Sequence, residues 1–345
     1  TVHAVCSELE MRKEYLGGET IETIYWGGGT PSQLDKEDFE TIFYYLHKNY
    51  SISSHPEITL EANPDDLTPD YIAMLRTLPF NRLSMGIQTF NESILKVLQR
   101  RHTARQAIEA FQNCRAAGFQ NISIDLMYGL PGETLSTWQQ DLDQALLLHP
   151  EHLSAYHLIY EEDTVLWKLR EQHKVEEADE DLSVSLFSTL IDRLTSEGYD
   201  HYEISNFSLP GLYSRHNSSY WTEKKYLGCG PSAHSYNGVS RQWNVASLDT
   251  YIKGISAGTP VFEIEELDLY TRYNDFVITR IRTEWGMPLS KLRDEFGEKL
   301  YDYCLRMAAP HLKQGTLELV NDILKLTRKG IFISDGIMSD MLWTD

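Results

Sequence analysis

Apolar residues recur along this chain in two rhythms. Stripes at helical spacing, such as Phe39, Ile42, Phe43 and Leu46 over 36–48, alternate with short apolar runs that read as strands. The first stripe, Val5, Leu9, Met11, Tyr15 and Leu16, predicts a helix that ends at Gly17-Gly18. Strands are expected at 22–26, 58–62, 82–87, 122–126 and 152–158. Helices are expected at 68–78, 91–99, 103–117, 134–148 and 179–197, the first with Thr68 as cap and Pro69 in its first turn. Regular β-α alternation with strands read as buried and non-alternating predicts a parallel sheet. Each strand ends on a polar or glycine residue, namely Gly28, Glu61, Gln88, Asp125 and Tyr156. A barrel turns all its strand ends to one side, whereas a doubly wound sheet concentrates ligands at a single switch point. Five successive polar ends favour the barrel.

The pattern changes after residue 200. A short strand at 202–205 precedes a stretch, 206–245, rich in Gly, Ser, Asn, Tyr and Trp, which reads as loop. A helix near 247–257 leads to a small module with helices near 268–282, 289–296 and 298–314. Its hairpin turns at Asn321-Asp322, a winged-helix-like arrangement. The expected division is 1–200 barrel, 201–262 extension and 263–345 C-terminal domain.

Charge narrows the partners. The 345 residues carry a formal net charge of −20, which argues against a general nucleic-acid binder. The last 80 residues, with 13 acidic and 11 basic side chains, offer no DNA-binding face either. No run has the apolar length of a membrane span, and no signal-peptide pattern opens the chain. The four cysteines, Cys6, Cys114, Cys229 and Cys304, are far apart and form no C-x-x-C pair. They indicate neither a disulfide framework nor a zinc site, and a reducing, cytoplasmic setting is expected.

The candidate chemistry begins at Gly27-Gly28-Gly29-Thr30-Pro31-Ser32, directly after the first strand. Three glycines there either form a tight βα turn or let backbone approach a ligand with no Cβ in the way. Glu61-Ala62-Asn63-Pro64, Gly86-Ile87-Gln88-Thr89-Phe90 and Asp125-Leu126-Met127-Tyr128-Gly129-Leu130-Pro131-Gly132 follow in order. This ordered set resembles the radical S-adenosylmethionine (SAM) family of oxygen-independent coproporphyrinogen III oxidases and their relatives, over nearly the whole chain. His216-Asn217-Ser218-Ser219-Tyr220-Trp221 and Gly228-Cys229-Gly230-Pro231-Ser232-Ala233-His234 are similar to the heme-chaperone branch, as is the small C-terminal domain. The resemblance implies a partial (β/α)6 barrel with SAM across the strand ends. It implies that Gly28, Gly29 and Thr30 meet the methionyl part and that Glu61 contacts the cofactor. Gln88 and Arg100 would bind ribose or carboxylate, and Asp125 the ribose hydroxyls. Residue chemistry leaves other roles open: Glu61 as a cap, Asp125 as a brace for the Tyr128 turn, and Arg100, next to Arg101, as a solvated helix-end charge.

The chain departs from the family in one respect. The resemblance implies a [4Fe-4S] cluster held by C-x-x-x-C-x-x-C after the first barrel strand, and this motif is absent. Only five candidate strands stand between 22 and 158 where six are implied. Loss of a strand and its cluster loop together suggests that the ligands precede Thr1. His216, with Tyr213, Tyr220, Trp221 and Tyr226 around it, has the composition of a porphyrin site, an imidazole for iron and flat apolar walls. It could equally order the loop. His234 reads as a loop-ordering residue, and Cys229 as an alternative thiolate ligand. The expected function is a heme chaperone that binds heme and SAM and delivers heme to apo-hemoproteins. The alternative is an oxygen-independent coproporphyrinogen III oxidase, which converts propionates to vinyl groups by radical decarboxylation.

Overall fold

The computed structural model describes residues 1–344. They form two compact units, one of 1–22, 37–56 and 215–344, the other of 23–36 and 57–214.

The second unit is built on a partial barrel. Its seven strands are β1 (Ile21–Trp26), β2 (Ile52–Ala62), β3 (Arg82–Gln88), β4 (Ile122–Tyr128), β5 (His152–His157), β6 (Asp200–Glu203) and β7 (Asn206–Ser208). They lie side by side in the order β1-β2-β3-β4-β5-β7-β6. β2 to β5 run parallel, and β7 and β6 close the row antiparallel. The intervening helices start where their caps dictate. Thr68, Asn91, Thr103, Thr134 and Asp179 each accept a backbone N–H in the first turn, and Thr103 and Thr134 complete reciprocal capping boxes.

One expectation needs correction. The strands are not uniformly apolar; they alternate. Leu83, Met85 and Ile87 of β3, Ile122, Ile124 and Leu126 of β4, and Leu153 and Ala155 of β5 fill the buried core on one face. The other face carries Thr59, Arg82, Ser84, Ser123, His152, Ser154, Asn206 and Ser208, all buried as well. Register sets these polar residues in rows. Glu61, Ser84, Ser123, His152 and Ser208 are successive neighbours, and Gly86, Asp125, Ser154 and Asn206 form the next row. A period-2 pattern is thus hidden by small hydroxyl residues that pass for buried ones.

The first unit contains two smaller sheets. β8 (His234–Tyr236) and β9 (Ser240–Asn244) lie in the stretch expected to be loop, and β10 (Phe262–Glu266) pairs with β9 to complete an antiparallel meander. Helix Arg215–Trp221 also lies in that stretch. β11 (Met287–Pro288), β12 (Leu317–Val320) and β13 (Ile323–Leu326) pair in the order β11-β13-β12, against helix Leu269–Ile281 and the segment Leu289–Gln314, which Gly297 (φ 80°) breaks into the two helices expected there. Asn321 and Asp322 both have positive φ (49° and 72°), as a two-residue hairpin turn demands. Among the described residues, no helix is long and apolar enough to cross a membrane.

Candidate functional site

The residues expected at the strand ends of the barrel meet there through specific contacts. Gly28, at φ 78°, donates its N–H to Glu61 Oε2 at 3.2 Å, and Tyr25 donates its hydroxyl to Glu61 Oε1 at 2.7 Å. Glu61 therefore braces the glycine turn and caps no helix. Burial and the Glu61 charge together push the Tyr25 phenol far up, so it stays a donor. A Cβ on Gly27 would lie 2.6 Å from both Glu61 Oε1 and the Tyr25 ring, whereas Gly28 and Gly29 have nothing within 4 Å of that position. The turn is packed on one side and open on the other, and Gly28, Gly29 and Thr30 are exposed on the open side.

Arg100 and Arg101 separate cleanly. Arg100 is half-buried and donates from Nη2 to Asn63 Oδ1 and to the Gly86 carbonyl, both at 2.8 Å. Arg101 is exposed and pairs with Asp65 and Asp66 at 2.9 and 3.1 Å. Gln88 sits at φ 71°, next to a register shift between β3 and β4 at Gly86. A non-glycine residue in this region carries backbone strain of the kind that collects at functional positions. Asp125 accepts from Ser84 Oγ at 3.3 Å, and burial raises its carboxyl to about 6 against the lowering influence of Arg82.

Two carboxylates that sequence reasoning missed hold this rim from behind. Asp141 accepts the hydroxyl of Thr89 and, at 2.9 Å, the N–H of Phe90, so it fixes the turn that follows Gln88. Glu133 accepts the Gly129 and Leu130 N–H groups at 2.6 and 3.3 Å and fixes the turn that follows β4. Burial raises them to about 6 and about 7. Each is one acidic position on or near an otherwise ordinary helix, so only its location behind a strand end marks it.

This site has the donors and acceptors for a zwitterionic nucleoside. It offers exposed glycine backbone, a guanidinium, and carboxylates among hydroxyls. SAM fits that set. A [4Fe-4S] cluster does not fit the donors at hand. Burial raises all four cysteines, Cys114 to about 12, Cys304 to about 11, and Cys229 well above its ordinary value with help from Glu8. No three His, Cys, Asp or Glu side chains group as metal ligands among the described residues.

The histidine motif lies in the other unit. His216 is half-buried on helix Arg215–Trp221, with Nε2 3.0 Å from the Tyr220 hydroxyl. The Tyr220 ring meets Tyr226 edge-on at 4.8 Å, and Tyr226 meets Tyr236 at 6.1 Å. The helix is pinned at its far end. Trp221 lies under Arg282 at 4.3 Å, and Glu223 accepts from Lys291 and Arg280 at 2.6 and 2.9 Å. His234 stacks on Trp243 within the meander. The Gly228–Gly230 turn is locked by a buried pair, Glu8 on the first helix (Val2–Met11) and Arg12 at its C-cap. Glu8 Oε2 accepts from the Gly230 N–H at 2.9 Å and from Tyr251 at 2.7 Å. Its Oε1 accepts from Arg12 and Asn244 at 3.1 and 2.8 Å. The Cys229 thiol beside it is held protonated.

A partial barrel with a glycine turn and polar strand ends defines the radical SAM class, and residues 6–145 match the radical SAM superfamily model. Residues 267–333 match the HemN C-terminal domain. The heme chaperone HemW of Mycobacterium tuberculosis is 32% identical over 340 residues, 98% of this chain and 85% of that one. HemW of Bacillus subtilis is 30% identical over 328 residues, 94% and 86%. The radical SAM enzyme HemN of Escherichia coli, a coproporphyrinogen III oxidase, shares the fold. Its TM-score is 0.84 at 23% identity, over 98% of this chain and 82% of that one. The chain belongs to the HemW family of the radical SAM superfamily.

Proposed function

We propose that this chain is a heme chaperone that binds SAM at its barrel rim and heme at its histidine motif, and passes heme to apo-hemoproteins. The observation that carries the reading is its similarity to HemW proteins over 98% of its length, with His216 half-buried beside a run of tyrosines. In this reading residues 1–200 carry the SAM site, 201–262 the histidine motif and 263–345 the HemN-type domain. Exposed backbone of Gly28, Gly29 and Thr30 receives the methionyl part, and Glu61 holds that turn. Gln88 and Arg100 take ribose or carboxylate, and Asp125 accepts from the ribose hydroxyls. When bound to a reduced cluster, SAM supplies a deoxyadenosyl radical. The described thiols are no cluster ligands, so these residues are assigned cofactor binding alone. Four free cysteines support a reducing, cytoplasmic setting.

Heme titration tests the reading. A Soret band should form with the wild-type chain, and His216→Ala should weaken it at least tenfold in affinity. An unchanged spectrum and affinity in that variant removes His216 as the ligand. Full-length, cluster-loaded protein incubated anaerobically with coproporphyrinogen III should leave it unchanged; formation of protoporphyrinogen would instead favour the oxidase reading.

A further inference from the structure

Arg82 is 1% exposed, and it stands on the polar face of the barrel sheet, one row below Ser84. Its Nε has no hydrogen-bond partner. Among the described residues no carboxylate forms an ion pair with it; Arg101, at the exposed end of the same unit, has two. A guanidinium cannot shed its proton to escape burial, so an unpaired one is costly unless a charge further off repays it. Several groups on the inner face of the sheet feel this charge: Tyr25 of β1, Asp125 of β4, His152 of β5 and Tyr202 of β6. Only Asp125 among them is a carboxylate.

The groups that face Asp125 divide by sign. Glu61 on β2 opposes its ionisation, and the hydroxyls of Ser84 on β3 and Ser154 on β5 favour it. Tyr25 and Tyr156 are neutral phenols beside it. Arg82 favours it from below, and Arg100, with Nη2 3.3 Å from where a Gly86 Cβ would stand, is a second cation at the rim. His152 adds none, because Ser123 and Tyr202 occupy its two ring nitrogens at 2.8 and 2.7 Å, and burial with Arg82 nearby keeps it neutral. Among these groups Arg82 is the fixed positive charge buried on the sheet itself, two rows below the carboxylate that faces the strand-end site.

We propose that Arg82 is a positioning residue of the SAM site: its charge holds Asp125 ionised, so that Asp125 accepts hydrogen bonds from the ribose hydroxyls. The proposal rests on the assignment of Asp125 to the ribose. A protonated Asp125 would offer one acceptor oxygen fewer and compete as a donor, and the ribose would be held less tightly.

Two measurements test it. The first follows the Asp125 carboxyl carbon by NMR against pH, with Asp125→Asn used to assign the resonance. In the wild type it should titrate near 6. In Arg82→Gln the midpoint should rise by at least one unit, and Arg82→Lys should stay near the wild type. Arg82→Met, which keeps the length and removes the charge, is the second variant and is read in the same way. The second measurement is SAM affinity by calorimetry from pH 5 to 8.5. Wild-type affinity should fall about tenfold between pH 7 and 5, as one ionisation near 6 requires. Arg82→Gln should be about fivefold weaker at pH 6 and recover by pH 8.5. A folded Arg82→Gln or Arg82→Met with an unmoved Asp125 midpoint overturns the proposal. If SAM fails to bind the wild type while the midpoint still moves, the cofactor assignment fails and the electrostatic role of Arg82 stands.

Discussion

Gly27 and Gly29 are two glycines of one motif with opposite surroundings. A side chain at Gly27 collides with Glu61 and Tyr25, and one at Gly29 meets open space. Gly27→Ala should therefore cost about 1–3 kcal/mol of stability, from overpacking, in a denaturant melt. Gly29→Ala should leave stability within about 0.5 kcal/mol, yet weaken SAM binding at least tenfold by calorimetry, because its Cβ occupies the ligand's side. Arg100→Ala should likewise lose SAM affinity, while Arg101→Ala, an exposed pair, should not. The family motif singled out Arg100 and not Arg101, but residue chemistry alone could not rank the two. Two adjacent arginines are chemically equal until burial separates them. Nothing in the sequence marked Asp141, because a carboxylate on an amphipathic helix looks the same whether it faces water or a neighbouring turn.

Helices were the most legible elements. Their apolar stripes and Ser, Thr, Asn or Asp caps are local signals, and the structure keeps nearly every one. Thr103→Ala, which removes one side of a capping box, should lower stability by about 1 kcal/mol. Short strands were the least legible. β8 and β9 draw on Ser, Tyr and Asn, and the first half of β2 contains Pro56, so neither has the run of β-branched residues that marks a strand alone. Helix Arg215–Trp221 has seven residues, too few to hold by itself, so it depends on what grips it. That grip is Glu223 between Arg280 and Lys291, and Trp221 under Arg282. Glu223→Gln should therefore weaken heme binding several-fold without touching His216. Equal heme affinity in that variant would mean that the helix holds its place without the clamp.

At the scale of the whole molecule, pH acts through buried carboxyls. Asp125, Asp141 and Glu133 have folded-state values near 6, 6 and 7, above those of the unfolded chain. Between about pH 4 and 7 the folded state thus binds more protons than the unfolded one, and stability falls as pH rises through that window. The net charge of −20 works in the same direction, since self-repulsion grows as carboxyls ionise. Urea midpoints should be higher at pH 5.5 than at pH 8, and Asp141→Asn should flatten the difference; a higher midpoint at pH 8 would contradict this. The Glu8 network bears on a different matter, the order in which the chain becomes structured. Glu8 finds its partners at Gly230, Asn244 and Tyr251, more than 220 positions later. During synthesis the chain grows from its amino end at about 5–20 residues per second. All of 57–214 has emerged before Gly230, so the barrel can gather its strands while the first helix still waits. For an interval of about ten seconds or more, a helix made before the barrel strands is fastened only after them, and its buried acid must remain in water until Gly230, Asn244 and Tyr251 arrive.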